Sequence, residues 1–278
     1  MGRFDGRVVL VTGAARAQGR AHAVTLARQG ADVAICDLAA PMEWAPYEPA
    51  TPEDLEETAR LVRAEGRRVH SARFDVTDSA QVDAFVASTI AQLGQIDGLV
   101  ANAAIYSLDA LVDLADEQWR RTIDVNLTGV FFSIRAVLPH MMERRSGRIV
   151  VIASIGGRGG FANTAHYTSS KWGTIGLAKC AAAEAAPYGI TVNAVCPTTV
   201  NTPMINNERN YRHFAPDIEH PTLDDVRPAL EGLNPMPGIW VEPQDVADAA
   251  AFLLSDEARF ISGETLGVSM GWTAHNAA

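Results

Sequence analysis

The sequence predicts an α/β protein with a Rossmann-type, doubly wound sheet of mainly seven parallel strands and helices on both faces. Short apolar runs alternate with helical segments along the chain. A glycine-containing turn joins the first run to the first helix, and polar residues follow several later runs. No internal repeat or low-complexity linker interrupts the pattern, so we predict one domain over residues 1–278.

The strands are predicted from short runs rich in valine, isoleucine and alanine. Continuous apolar runs of this kind are typical of parallel strands that are covered on both faces. In chain order they are RVVLVTG, DVAICDL, RRVHSARFDV, IDGLVANAA, GRIVVIASIGG, ITVNAVCPTTV and ETLGVSM.

The helices carry recognisable start and stop signals. Gly30 ends the first helix, and Thr51 followed by Pro52 and acidic residues begins the second. The predicted helices are GRAHAVTLARQGA, TPEDLEETARLVRAEG, SAQVDAFVASTIAQLG, the long and largely buried TIDVNLTGVFFSIRAVLPHMMERR, AHYTSSKWGTIGLAKCAAAEAAPYG and PQDVADAAAFLLSDEA.

Two segments depart from this alternation. One is an insertion at about 39–52, rich in proline and aromatic residues, and the other spans about 202–242 with scattered prolines, aromatics and histidines. Irregular segments of this length inside a compact domain are usually functional lids, or else they contain elements that the sequence pattern did not identify.

Composition and charge argue against several classes of function. Hydrophobic residues make up 47% of the chain and charged residues 20%, which is typical of a folded protein with a large core. The formal net charge of −10 argues against nucleic-acid binding, and no apolar run is long enough to span a bilayer. Cys36, Cys180 and Cys196 have no metal-site spacing and fit a reducing compartment. We expect a soluble, cytoplasmic protein with no signal peptide, no metal site and no membrane or nucleic-acid partner.

The segment VTGAARAQG indicates a nucleotide site. A glycine turn between a strand and a helix lets backbone N–H groups and the helix N-terminus face a pyrophosphate. Gly13 and Gly19 are the candidate glycines, although an ordinary strand–helix turn would also contain them. Asp37 ends the second strand, where an acid would bind the adenine ribose and favour NAD over NADP. It is also a common turn residue, and Arg16 in the glycine loop could instead accept a phosphate.

Two further polar residues end neighbouring strands. Asp75 ends the third strand, near the expected adenine position, and Asn102 ends the fourth, so both lie at the carboxyl edge of the sheet. Either one could equally be a turn residue.

The segment HYTSSKWG places Tyr167 four residues before Lys171, on one face of a helix. To act as a base near neutral pH, a phenol needs its pKa lowered by roughly three units, about 4 kcal/mol. An ammonium about 4 Å away supplies on the order of 4 kcal/mol at an effective dielectric of about 20. Burial opposes this effect.

Two more polar residues are candidates for the same site. Ser154 ends the fifth strand, and Asn126 interrupts an apolar pattern in the preceding helix. Catalytic groups of open α/β sheets gather at this edge. Each residue also has a structural interpretation: the tyrosine–lysine spacing arises by chance, serines bind backbone, and buried asparagines connect helices. His166 is interpreted as a helix-start or surface residue rather than a metal ligand.

Taken together, these motifs resemble those of the short-chain dehydrogenase/reductase family, classical type. TGAARAQG is similar to its TGxxxGxG turn, ANAA to its NNAG motif, and CPTTVNTPM to its PGxxxT segment. Asn126, Ser154, Tyr167 and Lys171 match its catalytic set, and the gap of thirteen residues from Ser154 to Tyr167 also matches. The chain departs from the pattern at Ala17, Ala104 and Thr198, where the family has glycine.

The resemblance implies a role for each catalytic residue. Tyr167 would exchange a proton with the substrate oxygen, Lys171 would lower the tyrosine pKa and hold the nicotinamide ribose, and Ser154 would bind the reacting oxygen. Asn126 would hold a water in the proton path. The implied NAD contacts are Gly13, Arg16, Gln18, Gly19, Asp37, Asp75, Val76, Asn102, Ala103, Tyr167, Lys171, Pro197, Val200 and Thr202.

A narrower resemblance is to the mycofactocin-associated branch of the family, often labelled carveol dehydrogenases. It implies tightly held NAD that an external acceptor, mycofactocin, reoxidises, with the insertion LAAPMEWAPYEPATP over the adenine end and Trp44 and Tyr47 as its contacts. An ordinary surface loop is the alternative for this insertion. The resemblance also implies a homotetramer packed through the two long helices and the C-terminal strand.

The leading hypothesis is therefore an NAD-dependent oxidoreductase that interconverts a hydrophobic, terpenoid-like secondary alcohol and its ketone. Its substrate lid would begin at Met204 and include MINNERNY, Phe214, Leu223 and Trp240. Two alternatives remain open. One is an ordinary reductase with exchangeable NAD or NADP, and the other is a non-catalytic protein that responds to NAD.

Overall fold

The seven-stranded sheet of this protein is entirely parallel, with the strand order β3-β2-β1-β4-β5-β6-β7. It is seen in a computed structural model that describes Gly2 to His275; residue 1 and residues 276–278 lie outside the description. The predicted fold class is confirmed. The strands are β1 (Val8–Thr12), β2 (Asp32–Asp37), β3 (Val69–Arg73), β4 (Gly98–Ala101), β5 (Gly147–Ile152), β6 (Ile190–Pro197) and β7 (Thr265–Val268).

The strand order creates a crevice at the carboxyl edge of the sheet. From β1 the chain moves outward through β2 to β3, and it then returns to β4 and moves outward in the opposite direction to β7. The connections therefore diverge after the adjacent strands β1 and β4, which is where open α/β sheets bind ligands. All residues of β1, β4 and β6 are buried, so helices cover both faces of the sheet.

Helices pack on both faces of the sheet. The N-terminus of the second helix is fixed as the sequence predicts, because the Thr51 hydroxyl accepts from the Asp54 N–H and the Asp54 carboxylate accepts from the Thr51 N–H. The helices are α1 (Ala17–Arg28), α2 (Pro52–Ala64), α3 (Ser79–Leu93), α4 (Asp116–Ile123), α5 (Gly129–Arg144), α6 (Ala165–Ala185), α7 (Glu208–Phe214), α8 (Leu223–Glu231) and α9 (Pro243–Leu254).

The long central helix differs from its prediction. It begins earlier, at Asp116, and a π-helical turn at Asp124–Thr128 separates α4 from α5. Turns of this kind are frequent at functional sites. The hydrophobic periodicity of α4 and α5, on either side of the turn, does not indicate its presence. This turn contains Asn126, whose side chain points into the protein and is fully buried.

The segment at 202–242 is more regular than its sequence suggests. It contains α7, capped by the Asn207 side chain, and α8, capped by Thr222 and Asp225. These two helices enclose a small apolar core of their own, separate from the main core. Its buried members are Tyr211, Val226, Leu230 and Ile239, and Leu223 and Trp240 pack against it. Leu223 and Trp240 therefore hold this lid together instead of lining a cavity.

Two larger apolar cores lie on opposite faces of the sheet. One packs α3, α5 and α6 against it, and the other packs α1, α2 and α9. Within residues 2–275, no helix combines the length and apolar character needed to cross a bilayer.

Candidate active site

Gly13 and Gly19 shape the turn after β1. Gly13 has φ +65°, and a Cβ on it would lie 2.7 Å from the Ala103 Cα. A Cβ on Gly19 would lie 2.0 Å from the Gly13 carbonyl oxygen. Neither position accepts a side chain, so the two glycines allow the N-terminus of α1 to approach the ends of β1 and β4 closely.

Ala17 takes a left-handed conformation where the family pattern has glycine. Its φ is +48°, which is unfavourable for a residue with a Cβ atom. Its methyl group also lines the cavity in front of the turn. The departure noted in the sequence therefore has a cost in backbone strain and puts a methyl group beside the phosphate position.

Asn102 holds the glycine turn in place. Its amide donates to the carbonyls of Thr12 and Gly13, each at 3.0 Å. The Thr12 hydroxyl accepts from the N–H groups of Asn102 and Ala103. These contacts support the turn-residue interpretation of Asn102, whose side chain also lines the cavity.

A cavity of about 200 Å³ extends along the carboxyl edge from the end of β2 to α6. Asp37 lies at its far end, and its carboxylate accepts from the N–H groups of Ala15 and Ala39. Asp75 pairs with Arg121 at 2.6 Å and accepts from the Thr77 N–H. Twelve of the fourteen predicted cofactor contacts line this cavity, namely Gly13, Arg16, Gln18, Gly19, Asp37, Asp75, Val76, Asn102, Ala103, Tyr167, Lys171 and Thr202.

The insertion at 39–52 forms one wall of this first cavity. Tyr47 lines the cavity, whereas Trp44 lines neither this cavity nor the second one described below. The Arg16 guanidinium donates to the Glu48 carbonyl and so ties the insertion to the glycine turn. Burial raises the pKa of the Tyr47 phenol above its ordinary value. Arg16 is thus engaged in holding the insertion.

Ser154, Tyr167 and Lys171 meet at the end of β5, as the sequence predicts. The Ser154 hydroxyl accepts from the Gly156 N–H at 3.0 Å and also hydrogen-bonds Tyr167. The Lys171 ammonium donates to the Ile152 carbonyl at 2.8 Å and lies 5.6 Å from the centre of the Tyr167 ring. Burial lowers the pKa of Lys171 to about 8.

In this structure the pKa of Tyr167 is raised, whereas the sequence predicts that Lys171 lowers it. Burial raises the pKa of Tyr167, and the hydrogen bond with Ser154 opposes this only in part. The Lys171 ammonium lies beside the ring and is held by a backbone carbonyl. In the protein alone, burial therefore outweighs the lysine, and the phenol keeps its proton at neutral pH.

Asn126 connects the π-helical turn to the loop after β4. Its side chain accepts from the Ile105 N–H at 2.8 Å and donates to the Ile105 carbonyl at 2.9 Å. It also donates to the Ser170 hydroxyl, which in turn donates to the Tyr167 carbonyl. Asn126 thus fixes the backbone around the tyrosine, and a water-binding role for it stays a prediction.

A buried cluster of polar side chains lies behind Tyr167, and no sequence motif predicts it. His166 lies at the start of α6 and is completely buried, not at the surface. Its Nε2 is 2.8 Å from the Ser107 hydroxyl, which also accepts from the Gln118 amide. The Tyr106 ring meets the Tyr167 ring edge-on, with 4.9 Å between centres. The only available signal in the sequence was the position of His166 next to Tyr167.

A second cavity, of about 250 Å³, opens on the other side of Tyr167. Its walls are mainly apolar and come from the loop after β5, the loop after β6 and the lid. Met204, Ile205 and Phe214 line it, as predicted for the lid, together with Pro197 and Val200. Gln18, Ala153, Tyr167, Thr202 and Met204 line both cavities. Tyr167 therefore lies where an elongated, polar-ended cavity meets an apolar one.

Comparison with known proteins identifies the family. A model of the family described as short chain dehydrogenase matches residues 7–213. The chain belongs to this family. The resemblance drawn from its motifs is therefore confirmed.

This short-chain dehydrogenase has full-length relatives of known structure or function. The (-)-trans-carveol dehydrogenase of Rhodococcus erythropolis is 42% identical over 275 residues, which cover 98% of this chain and 99% of the relative. A crystal structure of carveol dehydrogenase from Mycobacterium avium in complex with NAD has a TM-score of 0.97 at 42% identity, covering 99% of this chain and 100% of that one. Trans-4-hydroxycyclohexanecarboxylate dehydrogenase of Sinomonas cyclohexanicum is 35% identical, covering 99% of this chain and 95% of the relative.

Proposed function

We propose that this protein is an NAD-dependent oxidoreductase that interconverts a hydrophobic secondary alcohol and its ketone. The observation that carries the proposal is the position of Tyr167, which is hydrogen-bonded to Ser154 and lies between the two cavities beside Lys171. A non-catalytic nucleotide sensor would need no buried phenol facing an apolar cavity.

The first cavity has the features that a dinucleotide needs. Gly13 and Gly19 line it at the N-terminus of α1, where backbone N–H groups would meet a pyrophosphate. Asp37 presents a carboxylate at the far end, which suits ribose hydroxyls and repels a 2′-phosphate. Since Arg16 is bound to the insertion, it supports NADP less well than its sequence position suggests. NAD is therefore the favoured cofactor.

The chemistry that NAD supplies when bound is hydride exchange at its nicotinamide ring. During reduction Tyr167 would donate its proton to the oxygen of the ketone. During oxidation Tyr167 would accept the proton of the alcohol as a phenolate, which the positive charge of bound NAD⁺ would favour together with Lys171. Ser154 hydrogen-bonds the same oxygen and holds it against the phenol. Lys171 keeps two of its three N–H donors free of the Ile152 carbonyl, and these bind ribose hydroxyls while its charge favours the tyrosinate.

The second cavity favours a compact, apolar substrate. Among residues 2–275, its wall contains no aspartate, glutamate, lysine or arginine, and Met204, Ile205 and Phe214 come from the lid. Two relatives are named for alicyclic alcohols, namely carveol dehydrogenase and hydroxycyclohexanecarboxylate dehydrogenase. A terpenoid-like cyclic alcohol without a charged substituent fits this wall best.

The insertion supports tight retention of NAD. Tyr47 lies at the boundary between the insertion, the loop after β4 and the lid, where Tyr106, Met204 and Asn210 surround the same small gap. The insertion and the lid thus line the same gap, and a dinucleotide held beneath them would leave when they move apart. Reoxidation in place by an external, mycofactocin-like acceptor follows from such retention.

Exposed apolar side chains support assembly into a homotetramer. Phe131 on α5 is 41% exposed and Trp172 on α6 is 46% exposed. Phe260, shortly before β7, is 87% exposed, and Leu266 on β7 is 37% exposed. These side chains lie on or near the long helices and the C-terminal strand, through which we propose that the subunits associate. Cys36, Cys180 and Cys196 are free, which fits a reducing, cytoplasmic setting.

The first test is to purify the protein without added cofactor, denature it and identify the released nucleotide by mass. We expect near-stoichiometric NAD or NADH, and oxidation of alicyclic secondary alcohols with an artificial electron acceptor. An empty protein that uses NAD from solution would favour the exchangeable dehydrogenase. Bound NAD without turnover across a broad panel of alcohols would favour the sensor.

A further inference from the structure

Asn210 of the lid has an amide oxygen that no protein group satisfies. Its side chain lies in the wall of the second cavity, and the residue is only 5% exposed. The Nδ2 group donates to the Ile205 carbonyl at 3.0 Å, which fixes the amide and turns Oδ1 away from that carbonyl. Within residues 2–275 no group donates a hydrogen bond to Oδ1, yet the atom is not sealed off by its neighbours. A ligand in the cavity can therefore supply the missing donor.

Tyr106 adds a free phenol hydroxyl to the same wall. Like Asn210, it lines both the second cavity and the small gap beside it. The gap measures only about 10 Å³ and the cavity about 250 Å³, so a substrate group reaches both residues from the cavity. The Tyr106 hydroxyl forms no hydrogen bond within residues 2–275, and burial raises its pKa, so it keeps its proton and can donate. The Tyr106 ring meets the Tyr167 ring edge-on, which places the free hydroxyl in the neighbourhood of the reacting one.

These two groups restrict the kind of substituent that they can bind. Asn210 Oδ1 only accepts, whereas the Tyr106 hydroxyl both donates and accepts. A ketone or an ether has no hydrogen for the amide oxygen. A charged substituent would lack a counter-ion, since the cavity wall contains no aspartate, glutamate, lysine or arginine among residues 2–275. A hydroxyl group satisfies both partners, because it donates to Asn210 and accepts from Tyr106.

We propose that Tyr106 and Asn210 bind a second hydroxyl group of the substrate, so that the preferred substrates are cyclic diols and the hydroxyketones formed from them. The proposal rests on the proposed function, because it requires the reacting hydroxyl at Tyr167 and Ser154. Binding at two points fixes the orientation of the ring in the second cavity. It thereby selects which of the two hydroxyl-bearing carbons is oxidised.

The test compares cyclohexanol with the cis and trans isomers of 1,2-, 1,3- and 1,4-cyclohexanediol. Oxidation of each is measured with the artificial electron acceptor, and its kcat/KM is divided by that of cyclohexanol after correction for the extra reacting hydroxyl of a diol. We expect at least one diol to exceed cyclohexanol by about tenfold in wild type. The reason is that cyclohexanol leaves the Asn210 oxygen and the Tyr106 hydroxyl unpaired in the complex.

Two variants each remove one of the proposed partners. Tyr106→Phe deletes only the phenol oxygen, and Asn210→Leu replaces the amide by an apolar group of similar size. In each variant we expect the advantage of the preferred diol over cyclohexanol to fall to about threefold or less. His213→Leu is the matched control, because His213 lies on the same helix and lines the same cavity, and its ratio should stay at the wild-type value. Each ratio is measured within one protein, so a general loss of activity or stability does not change it.

The outcomes separate the two proposals. Wild-type protein that oxidises cyclohexanol and every diol with equal kcat/KM overturns the site for a second hydroxyl and leaves the proposed function standing. The same holds for a diol preference that is unchanged in Tyr106→Phe or in Asn210→Leu, or that disappears in His213→Leu. Wild-type protein that oxidises none of these alcohols, nor any other in a broad alicyclic panel, overturns the proposed function and the second site with it.

Discussion

A buried hydrogen bond of 2.8 Å joins Ser107 to His166 and so ties the loop after β4 to the helix that carries Tyr167. The same loop bears Tyr106, whose ring meets the Tyr167 ring edge-on. Asn126 hydrogen-bonds the backbone of the same loop at Ile105, the residue before Tyr106. Tyr167 is therefore positioned in part by Tyr106, Ser107 and His166, which lie outside the predicted catalytic set.

Breaking this bond should lower turnover without emptying the nucleotide site. For His166→Leu we expect kcat to fall by about ten- to a hundredfold, because small displacements of a catalytic group have effects of this size. Stability should fall by about 1–3 kcal/mol, since the Ser107 hydroxyl loses a partner. Steady-state kinetics and the amount of nucleotide released on denaturation measure the two effects separately.

Ser107→Ala provides the matched control, because it removes the other half of the same bond. If the bond is what matters, the double variant should lose no more kcat than the more affected single variant. Losses that multiply would show that His166 and Ser107 act independently and would contradict this assignment.

Tyr167→Phe should reduce kcat by about 10²–10⁴-fold, the range expected for removal of a general acid–base group. The ring remains, so its edge contact with Tyr106 and the fold should remain as well. Tyr106→Phe is the matched control in the same ring pair, and its loss should be far smaller. Retained turnover in Tyr167→Phe would exclude the proposed proton transfer.

Ala17→Gly should stabilise the protein, because glycine adopts a φ of +48° without the strain imposed by a Cβ atom. We expect a gain of about 1 kcal/mol and a rise in Tm of roughly 2–4 °C. Removal of the methyl group from the first cavity should also tighten NAD binding. Thermal unfolding with and without nucleotide measures both effects.

Ala21→Gly in the interior of α1 is the control for this substitution, since Ala21 is only partly buried and has no positive φ. There the same chemical change should destabilise by about 1 kcal/mol. A loss of stability at both positions would mean that the left-handed conformation of Ala17 carries no strain.

His22 should make the protein sensitive to acid. It is completely buried in α1, neither ring nitrogen has a hydrogen-bond partner within residues 2–275, and burial lowers its pKa from 6.5 to about 3. Between these values the unfolded chain binds more protons than the folded protein, so stability decreases as the pH falls below about 6.5. At pH 5 the contribution of His22 is a loss of about 2 kcal/mol.

Urea unfolding at pH 7 and pH 5 tests this prediction with His22→Leu, which has no titrating group in the core. The drop in unfolding free energy between the two pH values should be about 2 kcal/mol smaller in the variant than in wild type. Equal drops in wild type and His22→Leu would contradict the assignment.

Much of the fold could be predicted because its signals are local. Apolar runs and helix caps such as Thr51 with Asp54 are written in neighbouring residues, and parallel strands then place Ser154, Asp37 and Asn102 at one edge. The π-helical turn around Asn126 could not be predicted, because one extra residue in a helix leaves the periodicity of its flanks nearly unchanged.

The site was predictable where a residue's role follows from its position along the chain. Tyr167 and Lys171 share a helix face, whereas Ser107 and His166 meet only through tertiary packing across 59 positions of sequence. The pKa of Tyr167 was also beyond the sequence, because it depends on the extent of burial and on the hydrogen bond with Ser154. Local spacing identifies the reactive groups, whereas tertiary packing determines their pKa values and their partners.

The separate apolar core of α7 and α8 has an evolutionary consequence. Since Tyr211, Val226, Leu230 and Ile239 pack mainly with one another, substitutions among them can reshape the wall over the substrate without disturbing the sheet. The lid can thus change in sequence while the sheet and the residues around Tyr167 stay the same. Transplanting this lid between relatives that oxidise different ring alcohols is a direct route to new selectivity.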